Sequence, residues 1–271
     1  MKRFAERLLN HAFSYRATTF ADRIVYFHSV MNDTLRSHTL AQFESYLECL
    51  VELGYKGVSV KELIERGSPT GGRRVGITFD DGYSDNLQFA APLLLKYGFT
   101  ATIYMVTEMI EEGTRKLSND GHRLYPDRRM LNTADLRELD ALGFEIGSHT
   151  CTHALMSHVC NRDPDAAMTE LASSKRRLED ILGKTVAALA YPNGQKGAFN
   201  RQTVGLVKEA GYTSGATTLW GTYQATDSPL VLNRCEVSTR DDVRAFAQKI
   251  NGQQDYRFVL QRIVDGSRHW R

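Results

Sequence analysis

Two neighbouring carboxylates, Asp80 and Asp81, follow a short apolar stretch, Val75 to Phe79, and precede Gly82. The stretch is rich in apolar and β-branched residues, so it predicts a buried strand. A glycine just past a strand lets the chain turn until both side chains enter one pocket. Carboxylates held that close repel each other, and a shared proton or a cation relieves the repulsion. The alternative is that they cap a helix beginning near Asn86.

A second group of candidate ligands consists of His149 and His153, which follow another predicted strand, Phe144 to Gly147. A spacing of four residues places both imidazoles on one side of a helical turn or a tight loop. With 8 histidines in the chain, such a pair alone is a weak signal. Together with one aspartate it makes a three-ligand site for Zn²⁺ or a similar borderline cation, with positions left for water and substrate.

Three short motifs resemble those of a known family. They are Thr78 to Gly82 (TFDDG), His149 to His153 (HTCTH) and, as a variant, Ala190 to Gly194 (AYPNG). In order and spacing they resemble the polysaccharide deacetylases, also called the NodB homology domain or carbohydrate esterase family four. The resemblance covers approximately Ile24 to Val237 and implies an irregular (β/α) barrel of about seven strand-helix units, with its site at the carboxyl ends of the strands.

The resemblance also implies roles for the motif residues. Asp81, His149 and His153 are expected to bind the metal, with zinc as the first choice and cobalt, nickel or another borderline cation as alternatives. Asp80 is expected to act as general base. Pro192 and Asn193 belong to the third motif, where the family places a backbone N–H that stabilises the oxyanion.

The sequence departs from the common family pattern at two places. The expected late histidine, which acts as general acid in most relatives, is absent, since no histidine lies between His158 and His269. Some branches of the family are circularly permuted, so we assign the acid role to His28, after the strand Ile24 to Phe27; the alternative is a packed histidine at a strand end. The arginine that many relatives carry before the proline of the third motif is also missing, which leaves open what orients Asp80.

Two aromatic residues are further candidates for contact with the substrate. Tyr83 follows the aspartate pair and could border the sugar. Trp220 lies in a loop rich in threonine and glycine, and could stack on a sugar or close a pocket for the acetyl methyl group. Plain core packing is the alternative for Trp220.

The elements that must position these residues alternate between strands and helices, which predicts parallel pairing by crossover connections. We expect an N-terminal extension at residues 1–22, the barrel at residues 23–250 and a C-terminal tail at residues 251–271. A charged insertion at residues 108–130 interrupts the alternation of strands and helices, and is either a functional lid or a solvated insertion.

The composition narrows the range of partners. The chain has 271 residues, of which 42% are hydrophobic and 24% charged, enough for one large α/β domain. A net charge of +2 without a long basic run argues against nucleic acid as a binding partner.

Neither a signal peptide nor a membrane-spanning run is apparent, and the 4 cysteines lack the spacing of a disulfide scaffold, so a cytoplasmic location is expected. The oligomeric state stays open.

The sequence thus predicts a metal-dependent hydrolase that removes N-acetyl groups from an amino sugar in a polysaccharide or glycan precursor. Hydrolysis of another C–N bond, such as a formamide, uses the same groups and is the first alternative. A non-catalytic glycan-binding barrel is the second, and the missing late histidine favours it.

Overall fold

Strands and helices alternate along the chain in a computed structural model that describes residues 22–32, 37–65, 73–110, 128–223 and 227–265. The strands are β1 (Arg23–Phe27), β2 (Tyr55–Val58), β3 (Arg73–Phe79), β4 (Thr102–Met105), β5 (Glu145–Ser148), β6 (Ala188–Ala190), β7 (Ser214–Ala216) and β8 (Cys235–Glu236). The helices are α1 (Leu40–Glu52), α2 (Val60–Glu65), α3 (Ala91–Lys96), α4 (Thr133–Ala141), α5 (Met156–Arg162), α6 (Pro164–Leu182), α7 (Arg201–Glu209), α8 (Val243–Ile250) and α9 (Tyr256–Asp265).

The strands form one parallel sheet in the order β7-β6-β5-β4-β3-β1-β8, and β2 pairs with β3 beside this path. Ala216 of β7 also bridges Leu232, which lies three residues before β8. The short segment from Leu232 to Glu236 therefore bridges β7 through Leu232 and pairs with β1 through β8. The sheet curls into an irregular (β/α) barrel, which confirms the predicted fold class.

The strands of the barrel are buried on both faces because helices cover the outer face of a parallel sheet. All five residues of β1 and all four of β4 are buried. Aromatic side chains fill the space between β1, β3 and α1, where the Phe27 ring stacks on Phe79 at 5.5 Å and meets Phe43 edge-on at 5.2 Å. This packing holds the carboxyl ends of β1 and β3 side by side, with Phe27 opposite Phe79.

Local contacts set where two of the helices begin. A π-helical turn, Asn86–Ala90, precedes α3, which has Pro92 in its first turn. Helix α4 is capped by Asn132, because Asn132 and Asp135 bond to each other's backbone N–H groups.

Part of the expected tail is ordered, since its residues 256–265 form α9. Just before that helix, Asp255 accepts two hydrogen bonds from the Arg23 guanidinium at the start of β1, at 2.7 and 2.8 Å. Residues 111–127 of the expected insertion, and residues 1–21 of the N-terminal extension, lie outside the described residues.

His38 is a histidine outside the three sequence motifs. It is buried, with its ring edge-on to Phe27 at 5.1 Å and to Tyr46 at 5.9 Å. Burial lowers the pKa of His38 to about 4, because the surrounding apolar rings disfavour the charged imidazolium. The folded protein therefore holds His38 neutral.

We expect acid to destabilise the fold partly through this residue. Imidazole in the unfolded chain takes up a proton near pH 6.5, so the free energy of unfolding should fall as the pH is lowered from about 6.5 to about 4. His38→Phe should reduce that slope by up to about 1.4 kcal/mol per pH unit, measured by urea denaturation at several pH values. The exposed His158 supplies the control, as His158→Gln. An unchanged slope in His38→Phe would contradict the expectation.

Candidate active site

Asp81, His149 and His153 converge at the carboxyl ends of β3 and β5, which flank β4 in the sheet. Asp81 Oδ1 lies 3.6 Å from Nε2 of His149 and 3.6 Å from Nε2 of His153. These distances exceed a hydrogen bond but approach the roughly 3.3 Å that separates donors around a tetrahedral cation with bonds of about 2.0–2.1 Å. The three buried side chains therefore fit a divalent cation.

The protonation of His149 suits that role. Its Nδ1 lies 2.8 Å from the carbonyl oxygen of Ala190, and a carbonyl can only accept, so Nδ1 carries the proton. Burial lowers the pKa of His149 to about 4, which keeps the ring neutral. The lone pair of Nε2 is then left facing Asp81 and His153, as a metal ligand requires.

The backbone around the site is strained. Among the described residues, the non-glycine residues with positive φ are Asp81, Thr150, His153 and Asn193, at 75°, 65°, 62° and 60°. All four belong to the loops that carry the three sequence motifs. Such conformations cost on the order of 1–3 kcal/mol each and persist only where the surrounding structure enforces them. Thr150 is the most unusual of the four because β-branched residues rarely adopt a positive φ.

Gly82 makes the turn after the aspartates possible. Its φ is 84°, and a Cβ added there would lie 2.1 Å from the Met105 sulfur. A side chain at position 82 would therefore strain the backbone and clash with Met105 at the end of β4. The glycine inferred from the sequence to turn the chain is required for that turn.

The side chain that holds Asp80 is Arg234, which the sequence interpretation missed. Its two terminal nitrogens each donate to one carboxylate oxygen of Asp80 at 2.7 Å, and its Nε donates to the carbonyl of Thr217 at 2.7 Å. The guanidinium lies over the rings of Tyr26 at 4.6 Å and Tyr104 at 5.7 Å. It therefore answers the question, left open by the sequence, of what orients Asp80.

The environment of Asp80 decides its charge. Burial by itself raises the pKa of a carboxyl group, but the ion pair and hydrogen bonds with Arg234 outweigh it, so the pKa of Asp80 lies well below its ordinary value. Asp80 is therefore ionised at neutral pH. Arg234 comes directly before β8 and is buried, and a buried charge needs a counter-ion.

His28 lies beside Asp80 because their strands are neighbours. The N–H of Asp80 donates to the carbonyl of Phe27 at 3.0 Å, and the next residue after Phe27 is His28. The His28 side chain is exposed, while its carbonyl accepts a hydrogen bond from Asn86 at 3.0 Å. The third-motif residues occupy the loop after β6, where Pro192 is buried and Asn193 is partly exposed.

Two of the predicted substrate residues are largely buried. Tyr83 is only 1% exposed and belongs to the hydrophobic core, with the Arg128 guanidinium over its ring. Trp220 is 6% exposed and packs beneath Lys249 of α8 and Arg257 of α9. This packing favours the core-packing alternative for Trp220, and contact of either residue with the sugar stays a prediction.

The sequence and the fold are both similar to known deacetylases. Residues 67–215 match the family described as polysaccharide deacetylase. The Bacillus subtilis protein YxkH, itself named after that family, is 28% identical over 85% of this chain and 76% of its own length. The poly-β-1,6-N-acetyl-D-glucosamine N-deacetylase of Staphylococcus aureus is 25% identical over 74% of this chain and 68% of its own.

A solved structure extends the similarity to the fold. The Streptococcus pyogenes deacetylase PplD, crystallised with acetate, superposes with a TM-score of 0.72, covers 85% of this chain and 98% of its own, and is 23% identical.

These matches place the chain in the polysaccharide deacetylase family. Its class of reaction is therefore hydrolysis of the amide bond of N-acetyl groups on polysaccharides. Within the described residues, the structure contains no helix of the length and hydrophobicity needed to span a bilayer.

The Arg234 contacts predict a large loss of stability when that ion pair is broken. Arg234→Met should lower the free energy of unfolding by about 3–5 kcal/mol, because Asp80 would remain buried without a counter-ion. Arg23→Met is the matched control, since Arg23 forms a similar bidentate ion pair with Asp255. The Asp255 side chain is 27% exposed, so water can hydrate it when Arg23 is removed. Equal losses in the two variants, measured by urea denaturation, would contradict this account.

Proposed function

We propose that the protein is a zinc-dependent N-deacetylase that acts on an N-acetylated amino sugar in a polysaccharide or glycan precursor. The observation that carries the proposal is the position of Asp81 Oδ1, 3.6 Å from the Nε2 atoms of both histidines, with an ionised Asp80 next to it in the chain. Family membership supports the reaction type. The substrate of the Staphylococcus aureus relative suggests N-acetylglucosamine polymers as the first compounds to test.

In this proposal Asp81, His149 and His153 hold the cation. A bound zinc ion lowers the pKa of water and polarises the amide carbonyl. Asp80 accepts the proton that the water loses as it attacks the carbonyl carbon. The depressed pKa of Asp80 makes it a weak base, so it would take a proton only from a water that a bound cation had made more acidic.

Cleavage of the C–N bond also needs an acid, because an amine leaves poorly without a proton. His28 is the proposed donor, since it follows the strand that pairs with the Asp80 strand and its side chain is open to solvent. A backbone N–H in the loop around Asn193 is the proposed hydrogen-bond donor to the oxyanion. The sugar then leaves as a free amine and the acyl group as acetate.

The cellular location and the linkage of the substrate stay predictions. A cytoplasmic enzyme would meet a lipid-linked or nucleotide-linked sugar, whereas an exported one would meet a finished polymer. The same assay can separate these substrates, because β-1,6-linked N-acetylglucosamine oligomers, polyprenyl-linked sugars and UDP-N-acetylglucosamine can be offered in parallel.

Acetate release with added Zn²⁺ or Co²⁺ should depend on Asp80. Asp80→Asn removes the base and should reduce turnover by about 10²–10⁴-fold while the metal content stays near that of the parent. Asp180→Asn, an exposed aspartate on α6, is the control and should retain activity. A parent protein that binds these sugars without releasing acetate would support the non-catalytic barrel, and formate release from a formamide in place of acetate would support the other amide hydrolase.

His28→Ala should reduce kcat by about 10²–10⁴-fold and leave the affinity for metal unchanged, because the residue supplies a proton and no ligand. His28→Gln should be equally impaired. The exposed His158, changed to Ala, is the control. If His28→Ala turns over the substrate at the parent rate, another group provides the acid.

A further inference from the structure

The loop that carries the two metal-site histidines is held in a conformation that it would not adopt alone. We call residues 149–153 the histidine loop. Thr150 and His153 have φ values of 65° and 62°. Since this is the left-handed region, the loop needs outside contacts to stay in place, and its shape sets the separation between the His149 and His153 rings.

Glu170 on α6 supplies the anionic contact to this loop. One of its carboxylate oxygens accepts the backbone N–H groups of Cys151 and Thr152, both at 3.0 Å, and the other accepts the Thr152 hydroxyl at 2.9 Å. Successive N–H groups that converge on one anion form a strong binding arrangement for negative charge. A carboxylate ion accepts at both oxygens, whereas a neutral amide has one acceptor oxygen beside an N–H₂ donor, so Glu170 suits three converging donors better than a glutamine would.

Other peptide groups of the loop have uncharged partners. One turn along α6 from Glu170, Ser174 lies 2.7 Å from Ser148, whose hydroxyl accepts the N–H of Thr150 at 3.1 Å. The carbonyls of Thr150 and Cys151 accept backbone N–H groups from residues 107 and 108. Glu170 is thus a charged member of a set of contacts that surrounds the loop between the two ligands.

We propose that Glu170 is a positioning residue for the metal site, which it preorganises by fixing the histidine loop before the ion binds. This inference rests on the proposed metal-binding function of Asp81, His149 and His153. Without the carboxylate, two adjacent N–H groups lose their acceptor, and the strained loop can relax toward ordinary backbone conformations. Metal binding must then also restore the ligand geometry, which weakens the affinity for the ion.

The test is Co²⁺ binding to the full chain, followed by its visible absorption spectrum and by competition with a chromophoric chelator. Glu170→Gln keeps the size of the side chain, and should raise the Kd for Co²⁺ by about 10–100-fold and change the spectrum. Thr152→Val removes only the hydroxyl contact and should raise the Kd by less. Asp180→Asn, on the same helix, should bind Co²⁺ as the parent does.

The same variants distinguish positioning from a general loss of stability. A purely structural role would lower the free energy of unfolding of the metal-free protein but leave the Kd of the folded fraction and the Co²⁺ spectrum unchanged, and that result would overturn the proposal. If Glu170→Ala fails to fold, Glu170→Gln and Thr152→Val still decide it. Equal Kd values in parent and Glu170→Gln would remove Glu170 alone, whereas a parent that binds no Co²⁺ would remove the proposed metal site as well.

Discussion

The ion pair between Asp80 and Arg234 is the interaction on which the interior of the barrel depends. Both side chains are buried, so either charge without the other would be strongly unfavourable. Arg234 also donates to Thr78 of β3 and to the carbonyl of Thr217, just after β7. The pair therefore connects chain segments that are far apart in sequence, and the barrel must close correctly for either charge to be tolerated.

The same ion pair gives the candidate base its chemical character. A carboxylate with a depressed pKa is always ionised at neutral pH but is a poor proton acceptor. Such a group suits a reaction in which a cation makes the water acidic, and it would suit a metal-free hydrolysis badly. The Asp–Arg pair is thus compatible with the proposed mechanism, in which Asp81, His149 and His153 would hold the cation.

The position of His28 follows from the ring arrangement of the strands. β1 lies between β3 and β8, so a side chain at the end of β1 reaches the same edge of the barrel as one at the end of the last strand. In a closed ring, the order of strands in space does not depend on where the chain starts. The first strand and the last can therefore present a side chain to the same edge, as the proposed role of His28 requires in a chain without a late histidine.

The sequence by itself determined the alternation of strands and helices, the two ligand motifs and the turn at Gly82, because apolar periodicity and local turn chemistry are properties of neighbouring residues. Only the tertiary structure decided that Arg234 holds Asp80 across 154 positions of the chain, that Glu170 holds the histidine loop, and that Tyr83 and Trp220 are packed inside. Those contacts arise from closure of the barrel and from helix packing on its outer face. No local pattern encodes which distant side chain will meet a given charge or strained loop.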